Sequence, residues 1–135
     1  MKPTDFCRTC LLARLSALLL WAGCLLWLSL TPQPPRPASL LLSWDKLQHA
    51  GAFALLTLLA GRFFSQWRPL SRTPWLFALL LAVLFGGLIE ILQGTLTEIR
   101  SPEWGDLAAD VAGGLLVVLA AHLRERRQWR GSAAK

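Results

Sequence analysis

Four apolar segments, at 11–30, 47–64, 75–93 and 107–123, dominate a chain of 135 residues. A helix that crosses a bilayer needs roughly 20 mostly apolar residues, and each segment approaches that length. The connectors between them are short, which leaves no room for a separate soluble domain. The hydrophobic share of 54% exceeds the roughly 45–50% of an ordinary soluble domain. The expectation is one all-α domain over 1–135, a membrane-spanning bundle of four transmembrane helices near 11–30, 44–64, 74–93 and 102–123. A basic cytoplasmic tail, 124–135, follows.

The formal charge of +6 does not point to nucleic acid, because the basic residues are segregated. Lys2, Arg8 and Arg14 precede or begin the first helix. Arg62, Arg68 and Arg72 separate the second and third. Arg124, Arg126, Arg127, Arg130 and Lys135 close the chain, and only Arg36, Lys46 and Arg100 lie in or beside the other two connectors. Cytoplasmic flanks of membrane helices are rich in Lys and Arg. Four crossings put all three basic segments on one side, so both termini are expected in the cytoplasm. The tail sequence RERRQWR suits anionic lipid headgroups.

Turn chemistry marks the helix ends. The stretch 31–37, TPQPPRP, cannot be helical, since proline lacks a backbone N–H and fixes φ. Ser39 or Ser43 is a cap for the second helix. Thr73-Pro74 and Ser101-Pro102-Glu103 each read as a capping hydroxyl followed by proline at the first helical position. Gly51, Ala52 and Ala54, and then Gly86 and Gly87, are small enough for close helix approach, while Gly105 is a point where the fourth helix bends. Cys7 and Cys10 form a C-x-x-C without a second ligand pair and read as incidental. Cys24 follows Trp21 at the third position before it, and the apolar run continues beyond, so the first helix reads as a retained anchor rather than a cleaved leader.

Against this apolar background eight polar residues stand out: Asp45, Lys46, His49, Glu90, Gln93, Arg100, Asp106 and Asp110. Alternating helix direction brings every one of them to the same end of the bundle, the outer one. Asp45 and His49 are four apart, as are Asp106 and Asp110, and Glu90 and Gln93 are three apart, so each pair shares a helix face. Ionisable groups within membrane helices are costly and mark functional sites. His49, Glu90 and Asp106 are the candidates for catalysis, and all eight are candidates for substrate binding. The carboxylates need Lys46, Arg100, a cation or protonation to offset their repulsion. Oxygen donors suit hard cations and His49 widens the choice. No metal or cofactor is specified by a motif. Glu98 and Glu103 read as solvated loop charges and His122 as an interfacial residue.

The runs DKLQHAGAF (45–53) and GGLIEILQGTLTEIRSPEWGDLAADVAGG (86–114) resemble the VanZ-like family. Its pattern is D-K-x-x-H, then E-x-x-Q, a downstream R, and D-x-x-x-N-x-x-G. That pattern falls on Asp45, Lys46, His49, Glu90, Gln93, Arg100, Asp106 and Gly113, with Asp110 where the family has asparagine. The resemblance implies a small multi-spanning bacterial membrane protein, a family associated with glycopeptide (teicoplanin) resistance, with no securely assigned reaction. The expected partners are membrane lipids or lipid-linked cell-wall intermediates met at the envelope, not nucleic acid. Three roles remain open: recognition of such a headgroup, catalysis on a phosphate-containing lipid-linked substrate with Lys46 and Arg100 holding phosphate, or a structural clasp without a ligand. Transport lacks a polar path through the opposite half.

Overall fold

A computed structural model describes residues 8–31, 45–67, 71–96 and 103–133, with side chains described as far as residue 127. These form four helices: α1 (Arg8–Leu30), α2 (Asp45–Phe64), α3 (Thr73–Leu96) and α4 (Trp104–Ala133). Each is long and apolar enough to cross a membrane. The fold is therefore an all-α bundle of four membrane-spanning helices.

Hydrogen bonds between helices fix the direction of each. Gln93 Nε2, near the end of α3, donates to the Ser29 carbonyl near the end of α1 at 3.0 Å. Arg14, near the start of α1, donates to the Arg62 carbonyl near the end of α2 at 2.9 Å. Lys46 at the start of α2 meets Glu103 and Asp106 at the start of α4. The helices run up, down, up, down. α2 is the hub, packing against all three others and most extensively against α4, and α1 and α4 do not touch among the described residues.

The interior follows helical spacing. Leu18 and Leu25 of α1, Phe53, Leu56 and Ala60 of α2, and Ala78, Ala82 and Ile89 of α3 are buried. The large apolar residues left exposed, among them Leu20, Leu76, Leu84, Leu88, Ile91 and Leu116, cover the outer surface. An outer surface this apolar suits a hydrocarbon solvent rather than water. In α4 the buried residues are Asp106, Asp110, Gly113 and Gly114, so this helix turns polar and small residues inward. A Cβ on Gly113 would collide with the Ala50 carbonyl of α2. That glycine is what lets α2 and α4 approach so closely. Trp21 crosses from α1 to give its indole N–H to the Ala52 carbonyl at 3.0 Å. Trp27 is exposed.

Several local expectations are corrected. α4 runs to Ala133 rather than ending near 123, because the Arg, Glu, Gln and Ala of the basic stretch are strong helix formers. Gly105 underlies the Lys46 side chain. A Cβ at Gly51 or Gly87 would meet nothing within 4 Å, so neither is a close-approach point. At the start of α3 the Leu76 N–H bonds the Arg72 carbonyl at 3.2 Å, and Ser71 Oγ takes the Thr73 N–H at 3.4 Å. The cap therefore lies one or two residues before Thr73. Pro32–Pro37, Ser39, Ser43, Ser101, Pro102 and Cys7 lie outside the described residues.

Candidate functional site

The polar groups of three helices meet at one end of the bundle. α2 places Asp45, Lys46 and His49 in its first turns. α3 carries Glu90 and Gln93 in its last two turns, and α4 carries Asp106 and Asp110 in its first two. Two helices starting and one finishing at the same level bring residues 65 positions apart in sequence into one layer.

His49 and Asp110 form the centre. Nδ1 of His49 lies 2.9 Å from Oδ1 of Asp110, which is only 2% exposed. An ionised carboxylate only accepts, so the ring nitrogen carries the proton and Nε2 of a neutral ring keeps a lone pair. That second nitrogen faces Asp106 Oδ2 at 3.7 Å, beyond hydrogen-bond reach. His49 also stacks on Phe53, with ring planes 5° apart, which fixes its orientation. Gly86 of α3 makes room for this pair: a Cβ there would stand 2.8 Å from Asp110 Oδ2.

Lys46 bridges α2 to α4. Its ammonium is 3.0 Å from Asp106 Oδ1 and 3.3 Å from Glu103 Oε2. Asp106 thus gives one oxygen to lysine and turns the other toward histidine. Asp45 is exposed, yet its carboxylate, a His49 nitrogen and an Asp106 oxygen all lie within 4.8 Å of one another.

Glu90 sits at the start of α4. Its Oε2 accepts the Glu103 backbone N–H at 2.8 Å. Asp106 and Leu107 in turn donate to the Glu103 carbonyl, which makes Glu103 the N-cap. A carboxylate there is favoured by the free N–H groups and the helix dipole. The other oxygen, Oε1, is buried without a hydrogen-bond partner, and Glu90 as a whole is 8% exposed. Gln93, one turn on, ties α3 to α1 through Ser29.

Six of the eight expected site residues, Asp45, Lys46, His49, Glu90, Asp106 and Asp110, are therefore in one cluster; Gln93 bonds α1 instead, and Arg100 lies outside the described residues, as does Glu98. Glu103 is a solvated charge as expected, its side chain 59% exposed, and it has two further contacts: its carboxylate pairs with Lys46 and its backbone N–H holds Glu90. At the opposite end His122 lines a cleft of about 250 Å³ with Arg72, Trp75 and Glu125.

Chemically the cluster offers a histidine oriented by a carboxylate, a second carboxylate facing its free nitrogen, and a lysine at the rim. Comparison with protein-family models, curated proteins and solved structures returns no match to this chain.

Proposed function

We propose that this protein is a VanZ-like component of the bacterial cell envelope that recognises a polar headgroup, of a membrane lipid or a lipid-linked cell-wall component, through the cluster built by α2, α3 and α4. The observation that carries the reading is the convergence of His49, Asp106, Asp110, Glu90 and Lys46 at one end of an otherwise apolar bundle. Charged groups at membrane depth are costly, and such an investment in one layer points to a ligand.

The charge asymmetry of the two ends supports an outer position for that layer. The opposite end carries Arg8, Arg14, Arg62, Arg72, Arg124, Arg126 and Arg127, whereas Lys46 is the lone Lys or Arg at the cluster end among the described residues. The arginine-rich end belongs in the cytoplasm, with both termini, in the inner membrane. A link to glycopeptide tolerance rests on the resemblance alone.

Catalysis on a phosphate-containing lipid-linked substrate is the second reading, favoured by the 2.9 Å His49–Asp110 contact. A histidine held in one tautomer by a carboxylate is equipped for general acid–base work.

The test is lipid and cell-wall precursor profiling of a deletion strain complemented with wild type, Glu90→Gln or His49→Gln. Wild type restores the altered pool, and the two variants fail despite equal abundance in the membrane. Full restoration by both variants removes the headgroup reading and the catalytic one together.

A further inference from the structure

The same three helices carry a second kind of information, in the donors they leave without partners. His49 turns Nε2 toward Asp106 Oδ2 at 3.7 Å, and one ligand atom each from Asp45, His49 and Asp106 lie within 4.8 Å of one another. We infer that Asp45, His49 and Asp106 form a binding site for one divalent transition-metal ion, with Asp110 as the positioning residue that orients His49. This goes beyond headgroup recognition and stands without it.

Four observations support the assignment. The Nε2–Oδ2 distance of 3.7 Å is too long for a hydrogen bond. It suits two donors on one ion, since metal–nitrogen and metal–oxygen bonds are about 2.0–2.2 Å. Asp45 is exposed, and its carboxylate already lies within 4.8 Å of a nitrogen of His49 and an oxygen of Asp106. The contact between Nδ1 and Asp110 matches the arrangement in which a metal-bound histidine gives its other N–H to a carboxylate, fixing tautomer and ring plane.

The fourth observation is independent of these ligands. Glu90 lies against the turn of α4 that leads into Asp106, more than nine-tenths buried, with Oε1 unpartnered. A buried carboxylate oxygen without a donor is costly. A cation, or a water bound to one, supplies what it lacks. Charge points the same way: Glu103, Asp106 and Asp110 pair with Lys46 and His49, Asp45 lies beside His49 and Asp106, and like charges at low dielectric call for a counter-ion. One imidazole with two carboxylates selects ions such as Zn²⁺, Mn²⁺ or Co²⁺ over Ca²⁺ and Mg²⁺, which take oxygen donors.

The experiment uses the full-length, tag-free chain in detergent or nanodiscs, stripped with a chelator and titrated with Co²⁺ while visible absorption is followed. One Co²⁺ binds per chain and is displaced by Zn²⁺ but not by equimolar Ca²⁺. Asp110→Asn keeps the hydrogen bond to the ring but lowers its basicity, and weakens binding about 10–100-fold. His49→Gln and Asp106→Asn lose more than that, while Glu125→Gln, at the opposite end of the bundle, binds as wild type. Absence of saturable Co²⁺ uptake by the wild-type chain overturns the assignment, whatever the variants do. So does equal uptake by folded His49→Gln and Asp106→Asn proteins. Metal binding that survives while headgroup recognition fails removes the proposed function and leaves this site in place.

Discussion

Glu90 places one carboxylate oxygen on the backbone of a neighbouring helix and leaves the other buried without a partner. His49 and Asp110 divide their roles as cleanly, one nitrogen held and one presented. The hydrogen bond, rather than the charge, is what orients the ring, so Asp110→Asn and Asp110→Ala should differ. Asparagine keeps an acceptor oxygen for Nδ1–H, and alanine keeps none. The chain has two histidines, which makes imidazole resonances simple to assign. A slowly exchanging, downfield Nδ1–H of His49 should persist in wild type and Asp110→Asn and vanish in Asp110→Ala. Its persistence in the alanine variant would mean that Asp110 does not hold the ring. Arg100→Lys extends the logic to the loop: a forked contact with phosphate or carboxylate needs the planar guanidinium, so lysine should fail to restore the envelope phenotype.

Helix contacts at α2 and α4 depend on one glycine more than on any large side chain. A methyl group at Gly113 would enter the Ala50 carbonyl, whereas one at Gly87 would meet open space. Gly113→Val should destabilise the bundle by about 1–3 kcal/mol through forced separation of the two helices. Gly87→Ala should leave stability unchanged or raise it by about 0.5–1 kcal/mol, since glycine is unfavourable inside a helix. Thermal unfolding in detergent checks the pair, and equal melting of both variants would contradict the packing described. At this scale the sequence was readable where period and length decide. The four segments, their directions and the shared faces of Asp45 with His49 and Asp106 with Asp110 follow from 3.6-residue spacing and apolar length. Helix α4 runs to Ala133 because charged residues with high helix propensity continue it, and charge alone was misleading there. The role of Glu103 was hidden because a backbone N–H that caps another residue's carboxylate leaves no mark in the choice of side chain. The contrast between Gly86, packed on Asp110, and Gly87, facing outward, needed the rotation of α3 about its axis, which its nearly uniform apolar surface does not define.

The molecule as a whole is a bundle with two chemically different ends. One carries the carboxylates with His49 and Lys46, the other the arginines. Reporter fusions after residues 36, 70, 100 and 135 should read outside, inside, outside, inside, and a C-terminus outside would place the cluster on the cytoplasmic face. The central claim is that the cluster exists for a ligand rather than to clasp the helices. Ligand sites carry mutual repulsion that removal of a charge relieves, whereas clasps lose stability when a partner is removed. Asp106 is the most direct probe, because it both pairs with Lys46 and faces His49. The measurement is the melting midpoint of metal-free Asp106→Asn beside metal-free wild type in the same detergent. A midpoint equal to or above wild type is the result predicted here, and a fall of several degrees would contradict it and make the cluster a clasp.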